Sequence, residues 1–327
     1  MIRVALAARP TSRASAGMRA YTRALIERIP RVAPDVELVA VESPLVIHPL
    51  ALRAARAQLV HLPYLEAAPL VPRPYVAMVH DAIQLRFPAL FSGATAGYWR
   101  FVAGPLYRGA ARLLVSDPRV ADDCVALLGV ERERVRVVPL GYGDAVAGAV
   151  PWEAPRPYIL YAGNHAAHKD LATLYAAWAA LPGDLALDLV LTGRDEPAVR
   201  SRYVRNGAAI VFLGDLDDAT LARRYRGALA YVQPSLAEGF GIPALEAAVA
   251  GIPVLATTTS VPAVVAPFAQ TFAPGDASAL ASLLAVLVRD PGRARERAAE
   301  GVVALRAYTW DRFAASTAAV YREVVSP

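Results

Sequence analysis

Glu238 and Glu246 stand eight residues apart in the run Glu238-Gly239-Phe240-Gly241-Ile242-Pro243-Ala244-Leu245-Glu246. A strand-like stretch, 229–234, precedes the first glutamate, and an apolar stretch suited to a helix, 242–250, carries the second. Unbonded amides at a helix start, next to flexible glycines, suit a phosphate. Ionised carboxylates only accept hydrogen bonds, so the glutamates themselves suit hydroxyl groups. The plainer alternative is an ordinary loop glutamate followed by one on a solvent-facing helix. Lys169 is the second landmark, the only lysine among 34 Lys+Arg residues. A compact ammonium on a flexible stem fits crowded phosphate sites where a planar guanidinium does not. A GC-rich coding bias would also leave one lysine by accident, so its neighbours have to decide. His61 and His80 fall at the C-terminal ends of expected strands, the edge where α/β sheets bind ligands. A lone histidine is more often structural.

The elements that must position these residues alternate along the chain. Strands are expected at 2–8, 36–41, 59–62, 75–79, 112–116 and 134–139, then at 158–163, 187–193, 209–214, 229–234 and 253–257. Helices are expected near 17–29, 95–110 and 119–128, and near 168–181, 196–206, 217–226 and 242–250, with closing helices at 276–289, 292–306 and 310–325. Continuous apolar strands separated by helices predict parallel sheets covered on both faces. The Gly- and Pro-rich stretch 140–157 has no clear period and is expected to join two domains. Two α/β domains are also what 327 residues suggest, because single cores rarely grow beyond about 250–300 residues.

Composition narrows the function classes. A single cysteine, Cys124, excludes an intrachain disulfide and a cysteine-based zinc site. The N-terminal apolar run is too short for a signal peptide, and no run approaches a membrane span. A soluble, cytoplasmic protein is expected. Residues 1–150 carry 18 Arg against 12 Asp+Glu, whereas residues 151–327 carry 16 Lys+Arg against 17 Asp+Glu. The basic first half suggests an anionic partner or simply a soluble surface. Its arginines are scattered without interleaved aromatics, which argues against nucleic acid.

The ordered motifs resemble the retaining glycosyltransferases of the GT-B fold, glycosyltransferase family 4. Glu238-Gly-Phe-Gly-Ile-Pro-Ala-Leu-Glu246 looks like the family's pair of glutamates separated by seven residues. The segment 161–171 resembles its glycine-to-lysine element, and 211–235 resembles the lead-in to the glutamate pair. The segment 308–324 is similar to its closing helix, and 79–91 and 115–143 are similar to first-domain segments. The implied fold is two tandem Rossmann-like doubly wound domains with an interdomain cleft. The boundaries are 1–145 for an acceptor domain, 146–157 for a linker, 158–307 for a nucleotide-sugar donor domain and 308–327 for a helix packing back on the first domain.

Carried over residue by residue, the resemblance implies that Lys169 contacts the donor diphosphate, Glu246 the donor ribose and Glu238 the transferred sugar. Amides around Gly239, Phe240, Gly241 and Ile242 would meet donor oxygens. Gly17 matches a glycine of the loop after strand one and Tyr21 a common tyrosine, while Arg19 stands where glycine is frequent. His61 matches a position near the reacting centre, and His80-Asp81 matches a pair facing the cleft. Asn164 and His165 follow Gly163 where the family often has arginine, leaving Arg194 as a candidate phosphate ligand. Pro262-Ala263 stands where Pro-Glu is usual.

The implied reaction is transfer of a hexose from a nucleotide-diphosphate sugar to a hydroxyl acceptor, with retention. GDP-mannose is the first choice of donor, with UDP-glucose next and rhamnose also considered. No metal site and no required cofactor are expected. Asp122-Asp123 falls on an expected helix and Asp217-Asp218 at a helix start, where acids serve capping. The acceptor would be a glycan, a lipid-linked or anionic acceptor, or a small molecule, with peripheral membrane contact through the basic first domain. A noncatalytic nucleotide-sugar-binding protein and a sugar-nucleotide epimerase or hydrolase are the alternatives. A nicotinamide dehydrogenase is disfavoured, because 14–21 holds one glycine rather than three in the expected pattern.

Overall fold

The computed structural model describes the chain except residues 9–15, 44–47, 65–70, 204–206 and 327. It divides into two compact units, Met1–Gly141 with Tyr308–Pro327, and Tyr142–Ala307. Each is built on one six-stranded, fully parallel sheet.

The first sheet contains β1 (Ile2–Ala7), β2 (Val36–Val41), β3 (Leu59–Leu62), β4 (Tyr75–Val79), β5 (Arg112–Val115) and β6 (Val135–Val137). Their order is β2-β1-β3-β4-β5-β6. The second contains β7 (Tyr158–Tyr161), β8 (Asp188–Leu191), β9 (Ile210–Phe212), β10 (Ala230–Gln233), β11 (Val254–Thr257) and β12 (Gln270–Phe272), in the order β12-β11-β10-β7-β8-β9. In the first sheet the order reverses between β1 and β3, and in the second between β7 and β10. Loops leaving the strand ends on either side of such a reversal diverge and open a crevice.

Strands β3, β4, β7, β8, β10 and β11 are buried along their whole length, as strands covered by helices on both faces must be. Val60, Ala77, Leu113 and Val115 pack with Trp99 and Tyr107 in one core, and Ile159, Leu189, Leu191, Val232 and Leu255 with Leu174 and Trp178 in the other. Each fully buried large side chain contributes about 1.5–3 kcal/mol. The closing helix, Trp310–Val325, belongs to the first unit. Thr309 caps it by accepting from the Arg312 amide. Trp310, Phe313, Ala314, Thr317, Ala318 and Tyr321 form its buried stripe, and Arg31–Asp311, Arg322–Asp35 and Arg112–Glu323 ion pairs fringe it. A Cβ at Gly141 would lie 2.3 Å from the Trp310 amide nitrogen, so only glycine allows that backbone approach.

Three sequence expectations change. β12 is an unpredicted strand, too short and too polar to stand out. The helix expected at 196–206 is one turn, Pro197–Arg200, and 204–206 lie outside the described residues. Residues 146–157, expected to be a linker, belong to the second unit. There the Trp152 amide donates to the Arg223 carbonyl at 3.0 Å, and the Arg224 guanidinium lies 3.5 Å from the centre of the Trp152 ring.

Candidate functional site

The loops leaving β7 and β10, on either side of the second sheet's reversal, bring Lys169 and Glu238 together. After β7, Gly163 donates its amide to Thr192 Oγ1 at 3.0 Å, and the Tyr161 hydroxyl donates to the Asn164 carbonyl at 2.6 Å. A 3₁₀ turn, Ala167–Lys169, follows. Asp170 then adopts a left-handed backbone, φ +47°, which Asp tolerates better than most residues. Its carboxylate accepts from the Thr173 hydroxyl at 2.6 Å and so steadies the start of the helix Leu171–Ala179.

Lys169 Nζ donates to both oxygens of Glu238, at 2.7 and 2.8 Å. Only 15 % of the lysine side chain and 12 % of the glutamate side chain is exposed. Ser235 Oγ donates to the same carboxylate at 2.6 Å, and the Leu236 amide donates to the His168 carbonyl at 2.8 Å, clamping the two loops. Breaking such a pair leaves a poorly solvated charge behind. Ser235 was not singled out from the sequence. Its place three residues before Glu238 is the only local signal, since the pairing it supports spans 69 positions.

After Glu238 the chain turns through Gly241 into the helix Ile242–Val249. Gly241 has φ +87°, and a Cβ there would lie 3.2 Å from Gln233 Nε2 and 3.3 Å from Pro262 Cγ. Both facts call for glycine. Gln233 is buried and donates to the Ser260 carbonyl at 2.8 Å, while Thr257 Oγ1 donates to the Ser235 carbonyl at 2.6 Å. The turn is therefore braced from below. Among the described residues, the amides of Gly239, Phe240, Gly241 and Ile242 make no hydrogen bond. Phe240 itself is buried.

Glu246, one turn into that helix, accepts from the Gly143 amide at 3.1 Å. Its carboxyl also lies beside the buried Tyr225 side chain. Burial pushes its pKa up to about 7, opposed by the Gly143 amide. Arg194 is exposed in the loop after β8. His165 lies between two acceptors, Glu196 Oε1 at 2.7 Å and the Thr192 carbonyl at 2.9 Å.

The first unit holds the other candidates. His61, on β3, is fully buried. Its Nε2 lies 3.0 Å from the Tyr21 hydroxyl and its Nδ1 2.5 Å from the Tyr321 hydroxyl. Burial pushes its pKa down to about 3. With both nitrogens occupied, it presents no acid or base to a ligand in this arrangement. His80 follows β4, bonds the Pro63 carbonyl through Nε2 at 2.7 Å and stands edge-on to Tyr21. Burial lowers its pKa to about 4. The Asp81 carboxylate accepts from the Ile83 amide at 3.1 Å. Gly17 lies in the first turn of the helix Ala16–Val32, and residues 9–15 of the expected glycine loop lie outside the described residues. Asp217 caps Asp218–Gly227 through the Thr220 amide, whereas Asp123 lies inside the helix Pro118–Leu128 and pairs with Arg86.

The second unit thus presents an ammonium, a bank of unbonded amides and two carboxylates along one strand edge, an arrangement suited to a phosphorylated, hydroxyl-bearing ligand. Residues 156–290 match the family described as glycosyl transferases group 1. The chain is 30 % identical over 173 residues, 50 % of its length, to O-antigen chain mannosyltransferase B of Escherichia coli. It is 34 % identical over 156 residues, 45 % of its length, to phosphatidyl-myo-inositol mannosyltransferase of Mycobacterium leprae. These stretches span 45 % and 42 % of the two relatives' own lengths. Sucrose-phosphate synthase from Thermosynechococcus elongatus shares the fold, with a TM-score of 0.80 at 19 % identity over 99 % of both chains. The chain belongs to the group 1 glycosyltransferases, glycosyltransferase family 4, and carries their GT-B fold.

Proposed function

We propose that the protein transfers a hexose from a nucleotide-diphosphate sugar to a hydroxyl acceptor with retention of configuration. The observation that carries this reading is the Lys169–Glu238 pair set beside the unbonded amides of 239–242. Lys169 and those amides hold the diphosphate and stabilise the charge that develops on it as it leaves. Glu246 accepts from the ribose hydroxyls. Glu238 exchanges Lys169 for a hydroxyl of the transferred sugar once phosphate has taken the lysine. Gly163 and Asn164 shape the loop around the phosphates, and Arg194, exposed on the neighbouring loop, is the remaining cation for them.

In the reaction the bond from the anomeric carbon to the phosphate oxygen breaks. The acceptor oxygen bonds that carbon from the same face, and its proton passes to the leaving phosphate. The first unit offers His80 and Asp81 to the acceptor, with Gly17 opening the helix beside it. His61 acts as a positioning residue between Tyr21 and Tyr321. Mannose is the first choice of sugar, supported by two relatives that are mannosyltransferases, with glucose and rhamnose next. The acceptor is a glycan, a lipid-linked glycan or a small molecule, and the basic first unit favours one that is anionic or membrane-borne. Among the described residues no helix is long and apolar enough to cross a membrane.

The test is release of nucleoside diphosphate from GDP-mannose, UDP-glucose and a TDP-hexose, with and without a panel of hydroxyl acceptors. Acceptor-dependent release with an unchanged anomeric configuration by NMR supports the reading. Acceptor-independent release would mark a hydrolase or epimerase, and binding without release a noncatalytic protein. Chelator should leave the rate unchanged; complete loss rescued by Mg²⁺ would refute metal independence.

A further inference from the structure

From Ala82 to Ser116 the chain contains four arginines and no carboxylate. Much of this segment is one continuous helix, Gly93–Tyr98, Trp99–Ala103 and Gly104–Gly109, whose middle stretch is wound as a π-helix. Trp99, Ala103, Leu106 and Tyr107 face the core. Ala94, Tyr98, Phe101, Pro105 and Arg108 are exposed and recur at the spacing of a single helix face. Phe101 is 73 % exposed, and Leu90, just ahead of the helix, is also exposed. A helix that is apolar on its buried side should be polar on the other. This one is not.

Cations flank this crest. Arg100 lies over the Phe101 ring at 5.4 Å. Arg108 donates to the Leu128 carbonyl, and Arg73 stands at the helix end beside Gly109. None of the three makes an ion pair among the described residues, whereas Arg86 and Arg112 are paired with Asp123 and Glu323.

We propose that this helix face docks the protein on an anionic lipid surface. Tyr98, Phe101 and Leu90 enter the headgroup–acyl boundary while Arg73, Arg100 and Arg108 meet lipid phosphates. Lipid fits better than protein for two reasons. A stable protein interface buries about 800 Å² per partner around an apolar centre, and three large apolar side chains on one ridge offer less than that. Arg100 and Arg108, without ion pairs in a stretch that holds no carboxylate, match a uniformly negative plane rather than a mixed protein surface. The proposal deepens the peripheral contact in the reading above. It is tested by vesicle binding, which does not depend on donor binding.

The experiment is co-sedimentation of the full chain with phosphatidylcholine vesicles with and without phosphatidylglycerol, at low and high salt. Binding should require the anionic lipid and weaken in high salt. Phe101→Glu should lower it on the order of tenfold, and the double variant Arg100→Gln/Arg108→Gln by a similar factor. Both should keep the unfolding temperature and the nucleotide-induced stabilisation of the parent. The proposal is overturned if the parent does not sediment with anionic vesicles, or if Phe101→Glu binds as the parent does. It is also overturned if Phe101→Glu merely abolishes a concentration-dependent dimer seen by ultracentrifugation.

Discussion

Both sheets reverse strand order beside their first strand, and the two reversals are used oppositely. At the second reversal the loops after β7 and β10 present Lys169, Glu238 and a row of unbonded amides. At the first, the polar group on β3, His61, is sealed between Tyr21 and Tyr321. The difference comes from what packs against each. The closing helix supplies Tyr321 to the first unit and fills the space beside β3, so a histidine at a strand end becomes part of the core. In the second unit the residues that follow β10 make a glycine turn and a helix start, which leave donors unbonded. A reversal of strand order therefore does not by itself fix the chemistry: the side chains arriving at the strand ends decide it.

The largest expected effect is at the second reversal. Lys169→Ala removes the one cation bonded across the loops and should lower kcat/KM for transfer by about 10²–10³-fold, read from initial rates. His61→Ala should do the opposite kind of damage. It leaves two buried tyrosine hydroxyls without their partner, costing about 2–5 kcal/mol in urea unfolding. The stabilisation by bound nucleotide should survive. If His61→Ala instead kept full stability and lost turnover, the contrast between the two reversals would fail.

A smaller effect sharpens the account of the pair itself. Glu238→Gln frees Lys169 from its carboxylate, so nucleoside diphosphate should bind several-fold tighter, about 1 kcal/mol, while transfer slows. Weaker binding would mean that Glu238 orients the lysine for phosphate rather than competing with it.

A further contrast lies in pH dependence, where the two units oppose one another. Glu246 holds its proton to about 7 when folded against an ordinary 4.5, so its contribution to stability is full at low pH and is lost as the pH rises toward 7. His61 and His80, held at about 3 and about 4 against an ordinary 6.5, contribute fully above 6.5 and lose that contribution as the pH falls toward 4. Each slope is at most about 1.4 kcal/mol per pH unit. Glu246→Gln should therefore gain stability relative to the parent as the pH rises from 5 to 8. A pH-independent difference would mean that Glu246 ionises normally.

Much of this arrangement was legible in the sequence. Fully apolar strands such as Tyr75–Val79 and Tyr158–Tyr161 announce two-sided burial, and the lone lysine and spaced glutamates mark the second unit's strand edge. What was not legible depends on long-range contact. Whether a strand-end histidine faces a ligand or the core depends on Tyr321, 260 positions away. The lysine–glutamate pairing joins two loops whose meeting only the strand order arranges. The strand Gln270–Phe272 was missed because its sheet position, not its three residues, makes it a strand.

Calorimetric titration of GDP, UDP, TDP and ADP into the parent and into Lys169→Ala shows where the diphosphate binds. Binding of one nucleotide to the parent, weakened at least tenfold in the variant, is the predicted result. Equal affinity in both proteins would contradict the assignment of the diphosphate to the second unit's strand edge.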